Sequence, residues 1–313
     1  MKRHFFATAA NVALAAALLA SCGGGGGDSD KLDLKLRLQQ GQSYGTKMVA
    51  EQTITQTIQG QTMDVKQTIG MAYTYAVTKV ESDGSALVDV SYDWVRYAQD
   101  GPMGTMEYDS SNPPANTPEE ALVYAALLGR RFSMTMTPLG EVAEVRGIDE
   151  MLSHILLWLN VPEGSERDAL LEGLESQFGE QAMRESFEKA STIYPGKPVT
   201  VGDLWSKKVA LATGMPMILD NTWTLQSRKD GVAFIDVKTK VSPNPDAKPL
   251  EYGGMTVTYD LSGEQSGTLE VDEASGWVLR SSIKQNISGQ ISAMGMTWPL
   301  TIVSDIRFEP WKK

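Results

Sequence analysis

Cysteine is almost absent: Cys22 is the only one in 313 residues. No intramolecular disulfide can form, so stability outside a reducing compartment must come from a packed core. A chain of this length can bury a large one. Histidine is nearly as scarce, with only His4 and His154. His4 lies in an N-terminal apolar segment, which leaves His154 alone in the body and excludes any multi-histidine metal site within the chain. Basic residues are outnumbered, 28 against 39 acids, for a net charge of −11. That balance disfavours nucleic acid and anionic membrane surfaces as direct partners. Long apolar runs are also lacking. The one candidate, Phe5 to Ala20, falls short of the roughly 20 apolar residues that span a bilayer, and no later run approaches that length.

What is present begins with that run. Lys2 and Arg3 precede it and small residues close it, the layout of a secretory signal. Its end reads Leu19-Ala20-Ser21-Cys22 and is followed by five glycines, Gly23 to Gly27. This resembles the lipobox of bacterial lipoproteins. The resemblance implies cleavage before Cys22 and lipid attachment at Cys22, and with them a membrane partner and a place in the bacterial cell envelope. Gly23, not Asp, follows the cysteine, which by the same analogy favours the outer membrane. Several acyl chains on one residue, each buried methylene adding roughly 0.8 kcal/mol, make a durable anchor. Residues 22–30 then read as a flexible polar tether. Loss of Lys2 and Arg3 with the signal takes the charge to −13.

From Lys31 onward the patterning is strand-like. Leu32, Leu34, Leu36 and Leu38 alternate with Asp33, Lys35 and Arg37, as in a half-buried strand. Residues 44–58 and 62–80, rich in Thr, Ile, Val and Tyr, form two long arms about a turn near Gly60. Arms of about 50–60 Å, against a usual strand of about 17–20 Å, must bend or bulge, so a curved sheet is expected. Asp83-Gly84 and Asp230-Gly231 are hairpin signals. They open "DGSALVDV" and "DGVAFIDV", which share five of eight residues. Together with "GQSY" (41–44) beside "GDLW" (202–205), this suggests an internal repeat of two related β meanders.

Between the meanders the pattern turns helical. Thr117-Pro118-Glu119-Glu120 opens a helix into "ALVYAALLG". A second helix is expected from Asp149 to about Leu159, and one or two more over 163–191, broken near Gly179. Prolines in "YPGKPVTVG" then end helical structure. The stretches "GPMGTMEYDS" (101–110), "LGRRFSMTMTPLGEVAEVRGIDEML" (128–152) and "YPGKPVTVGDLW" (194–205) resemble a family of bacterial lipoproteins known only as a domain of unknown function. The resemblance covers most of residues 32–310 and implies no activity.

Motifs that suggest catalysis weigh little. Gly41-Gln42-Ser43-Tyr44-Gly45 fits a nucleophile elbow, but strand-like sequence follows where a helix is required. Ser186-x-x-Lys189 and Ser281-x-x-Lys284 match a Ser-Lys pattern without its companion motifs. His154, in "MLSHILLWL", reads as a packing residue. Glu107 and Asp109 share a strand face, as surface carboxylates of an acidic protein often do. Methionine is the less ordinary signal, with 15 in the chain. Met134-x-Met136, Met215-x-Met217 and Met294-x-Met296 each place two thioethers on one strand face, and Trp298 follows the last pair; Met103 and Met106 form a looser pair. Such soft side chains fill irregular cores, line adaptable apolar sites or, less commonly, bind Cu(I).

The expectation is an α+β fold, mainly antiparallel β, in which two related curved β-meander halves flank a helical insert. Residues 1–21 are the signal peptide, 22–30 the tether and 31–313 a single β-rich domain. Within it, 31–115 and 194–313 are the β halves, and 116–193 is the insert with a hairpin over 131–147. The expected function is a non-enzymatic envelope lipoprotein that binds an apolar ligand or lipid, with no cofactor or metal. Met134, Met136, Met215, Met217, Met294, Met296 and Trp298 are its candidate lining. The alternative is a structural or adaptor lipoprotein that docks on envelope proteins or glycan.

Overall fold

Thr, Val, Ile and Tyr dominate the long arms, and β-branched and aromatic side chains suit a pleated, half-buried surface. In a computed structural model, described for residues 31–312 except Gln59, Met103, Lys248, Gly253 and Gly254, these arms build one large antiparallel sheet. Residues 1–30, with the expected signal, Cys22 and the expected tether, lie outside the described residues. The first half gives β1 (Ser43–Ile58), β2 (Gln61–Val80), β3 (Ala86–Gly101), the short β4 (Gly104–Asp109), β5 (Arg131–Met136) and β6 (Val142–Arg146). The second gives β7 (Leu204–Leu211), β8 (Met217–Lys229), β9 (Val232–Pro243), the short β10 (Leu250–Tyr252), β11 (Met255–Asp272), β12 (Val278–Ala293) and β13 (Met296–Pro310).

The order across the sheet is β6-β5-β3-β2-β1-β13-β12-β11-β9-β8-β7, with β4 on β3 and β10 on β11. First and last strands therefore meet mid-sheet, Thr46 opposite Pro310 through to Gln56 opposite Leu300. The sheet is open and curved, with 56% of the chain in strands and 17% in helices. The long arms bend where the register slips, at Ala72/Tyr73 and Val77/Lys79 between β2 and β3, and at Leu225/Ser227 between β8 and β9. Asp230 and Gly231, with φ of 53° and 76°, make the two-residue turn whose twist matches its flanking strands.

One face of the sheet is covered. Helix α1 (Leu122–Leu127) follows β4, and α2 (Ile148–Leu159), α3 (Ser165–Phe178) and α4 (Glu180–Ser191) lie between β6 and β7 in the chain. Helix α2 buries Ile148, Met151, Leu152, Ile155 and Leu156, one apolar stripe at helical spacing. Gly179 separates α3 from α4 in extended conformation. The main core joins these helices to Val88, Val90, Tyr92, Leu225 and Ile235 of the inner face. A second, smaller cluster, with Leu219, Val241, Leu261, Ile287 and Ile302, is made of strand residues alone.

The leucine-rich segment 32–38 differs from the strand its alternation suggests. Leu32, Leu34, Leu36 and Leu38 are all buried, as the period-2 pattern requires, but the segment makes only an isolated bridge with Val199. It runs as an extended strap. Leu36 N–H donates to Pro138 O at 2.8 Å, Arg37 N–H to Ser275 O at 2.7 Å and Gly41 N–H to Val77 O at 2.8 Å. The strap thus ties the β5–β6 turn, the β11–β12 turn and the end of β2. A side chain on Gly276 would place a Cβ 2.2 Å from Lys35 O, so the close crossing needs glycine there.

Candidate functional site

The inner face carries a row of polar side chains in register. Gln99 faces Gln67 across β3 and β2, Gln67 faces Gln52 on β1, and Gln52 faces Ser304 on β13. The row continues through Gln285, Gln265, Thr239 and Asn221 to Lys207 on the far edge strand β7. Most members satisfy one another. Gln52 Nε2 donates to Gln67 Oε1 at 2.6 Å, Gln265 Nε2 to Gln285 Oε1 at 2.7 Å, and Thr239 Oγ1 to Asn221 Oδ1 at 2.6 Å. The buried Ser304 hydroxyl has no protein partner. Buried amides are tolerable only when paired, so this ladder acts as a unit. It separates the two apolar clusters.

On the helix side of the ladder lies a partly open, mostly apolar cavity of about 320 Å³. Asn221, Thr239 and Gln265 of the ladder form one margin, and Met48, Trp223, Val237, Leu269, Ile283 and Phe308 form the sheet wall. Gly267 falls between Val237 and Ile283 in the register. A Cβ there would lie 2.0 Å from Ser282 O and 2.7 Å from Ile283 Cδ1, so β12 approaches β11 more closely than a side chain permits. A glycine at this point weakens the strand locally and allows strong coiling. Aromatic rings build the end near the strap. Tyr75 and Trp277 are 5.0 Å apart, centroid to centroid, and Tyr75 and Phe187 6.1 Å, both edge-on. Burial pushes the Tyr75 phenol well above its ordinary pKa.

Helix α4 closes the cavity between the two edge strands. Glu188 Oε1 accepts from Val142 N–H on β6 at 3.1 Å. Glu185 Oε2 accepts from Ala212 N–H at 2.9 Å, Thr213 N–H at 3.0 Å and Thr213 Oγ1 at 2.7 Å, just beyond β7. The edges also approach directly, with Lys207 Nζ 2.8 Å from Glu141 Oε1. Clasped at both sides, α4 turns Ser186, Phe187, Lys189 and Ala190 towards the cavity.

Lys189 is the unusual member. Its side chain is exposed on α4 and lines the cavity at its open side. Desolvation lowers its pKa, and no neighbouring carboxylate opposes that effect. Among the described residues it has neither an ion pair nor a hydrogen bond. Ser186 shares its side of α4, but the two are not bonded to each other, so no Ser-Lys nucleophile pair is assembled.

The model of a family of unknown function, DUF6263, matches residues 83–278, well over half the chain. The chain belongs to that family. No curated protein matches this DUF6263 chain. Among solved structures, a lipovitellin described for its lipid–protein interactions aligns over 88% of the DUF6263 chain at 8% identity and a TM-score of 0.48. The chain spans only 25% of that lipovitellin. OpdQ of Pseudomonas aeruginosa aligns over 86% of this chain and 99% of its own at 5% identity and a TM-score of 0.20. At these scores neither likeness speaks to function.

The methionines singled out in the DUF6263 sequence are dispersed. Met136 lines the cavity. Met134 and Met217 are buried in the two clusters, and Met215 packs against the smaller one. Met294 and Met296 are exposed at the β12–β13 turn, and Trp298 follows them half-buried on β13 with its indole N–H unpartnered. None of these three lines the cavity, and Met103 lies outside the described residues. Sequence reasoning missed Met48 and Lys189. The one signal for the latter was Ser186-x-x-Lys189, weighed as a catalytic motif rather than as two cavity-facing positions on a helix.

Other candidates fall elsewhere. His154 is exposed on α2, opposite the stripe of Met151, Leu152, Ile155 and Leu156, and is not the packing residue its apolar neighbours suggest. Ser43 opens strand β1, with no helix after it. Glu107 pairs with Arg96 at 2.8 Å, and Asp109 accepts from Trp94 Nε1 at 2.8 Å and from Ser111. Trp205 and Trp223 are buried and stacked on each other. Among the described residues no cluster of His, Cys, Asp or Glu has metal-binding geometry.

Proposed function

We propose that this DUF6263 protein is a bacterial envelope lipoprotein that holds an apolar ligand, a lipid or lipid-like molecule, between its curved sheet and α4, and performs no chemistry on it. The cavity carries the proposal. It is concave and mostly apolar, walled by rigid strands, and edged by a few fixed polar groups, which is the usual make-up of a small-molecule site. Cys22 supplies the membrane anchor in this reading, with residues 22–30 as the tether and the outer membrane as the location. The two β halves fit tandem duplication, since 6-5-3-2-1 and 12-11-9-8-7 run in the same sense across the sheet.

The neutral dye Nile red tests the cavity directly. Its fluorescence should rise with the full-length protein and fall back in Ala190→Phe, which fills the cavity from α4. An equal rise in both proteins would place the dye elsewhere and contradict the reading. A docking role has one feature in its favour: Leu157 and Trp158 are exposed side by side on α2, at 67% and 47%. Crosslinking that captured one envelope protein through α2, and was lost in Trp158→Ala, would support it.

A further inference from the structure

Lys189 is the one charged side chain lining the apolar cavity, and Ser186 precedes it by one helical turn on the same side of α4. An exposed ammonium at the margin of an apolar cavity is placed to pair with the anionic headgroup of a ligand whose chain enters it. The protein itself supplies no such anion: Glu185 is spent on Ala212 and Thr213, and Glu188 on Val142. The remaining polar margin, Asn221, Thr239 and Gln265, is occupied in bonds within the ladder.

We infer that the cavity takes a single-chain amphiphile with a carboxylate headgroup, the carboxylate pairing with Lys189 and accepting from Ser186 while the chain lies along Met48, Ile283 and Phe308. This rests on the proposed cavity-binding function and specifies its ligand. Size favours one chain, because about 320 Å³ is at the small end of ligand pockets, which run from roughly 300 to 1,000 Å³. Charge favours a carboxylate over a phosphate dianion, since one ammonium neutralises one charge.

The test compares palmitate, hexadecanol and hexadecyl phosphate on the full-length protein, read by the change in tryptophan emission, since Trp223 and Trp277 line the cavity. Palmitate should bind about tenfold or more tighter than hexadecanol, the scale of a desolvated charge-assisted contact. Lys189→Met should abolish that preference, and Lys189→Arg should keep it. Equal binding of palmitate and hexadecanol by the natural protein overturns the headgroup assignment but keeps the apolar cavity. Tighter binding of hexadecyl phosphate overturns the carboxylate. Binding of none of the three overturns the assignment and the cavity reading together. The comparison within the natural protein holds even if a variant fails to fold.

Discussion

Glu273 and Arg228 show how single residues secure the end of the molecule crossed by the strap. Arg228 Nε and Nη2 donate to the two carboxylate oxygens of Glu273 at 2.7 and 2.8 Å, and neither side chain is more than 27% exposed. The hydrogen bond from Arg228 holds the Glu273 carboxyl below its usual value of 4.5. A depressed carboxyl contributes stability above the unfolded pKa of about 4.3, and that contribution is lost as pH falls through the folded value. Glu273→Gln should therefore cost about 1 kcal/mol near neutral pH, allowing for screening of a half-open pair. In acid the difference should shrink as the natural carboxyl becomes protonated. Urea unfolding at pH 7 and pH 3 reads both values, and an equal loss at both would contradict the pairing. Lys189 belongs to the same scale, but nothing in its neighbours along the chain marks it. Its place on the cavity arises only when α4 is laid over the sheet.

At the scale of elements, the polar ladder is the feature that holds the inner face in one register. A slip of one residue would put every ladder amide on the outer face. Gln265→Leu alone should cost about 1–3 kcal/mol by leaving Gln285 Oε1 buried without its donor, whereas Gln265→Leu with Gln285→Leu should recover most of that loss. Additive losses in thermal or urea unfolding would show that the two amides act independently. Much at this scale is readable from the chain. The long arms, the Asp230-Gly231 turn, the break at Gly179 and the hairpin over 131–147 all follow from local propensity and turn chemistry. The ladder does not, because alternation distinguishes two faces without saying which is covered, and glutamines in a threonine-rich arm look solvent-facing. The strap fails for a related reason. Its leucines fix which side is buried, but backbone pairing depends on partners far along the chain, here Pro138, Val199 and Ser275.

At the scale of the molecule, the strap crosses one end of a curved sheet and α4 spans the gap between its edge strands. The result is a partly open shelter, with the ladder separating it from the strand-only cluster. No helix among the described residues is long and apolar enough to cross a membrane, and the proposed anchor at Cys22 would leave this body on its tether. The ligand proposal stands on the cavity alone, and one measurement addresses it: the native mass of the full-length protein, purified in a detergent of distinguishable mass, before and after extraction with organic solvent. An anchor on Cys22 is covalent and survives extraction. The proposal predicts one further molecule per chain, non-covalent and released by the solvent, with the mass of a single-chain lipid. A mass that extraction leaves unchanged, with no uptake of added palmitate or Nile red, would contradict it.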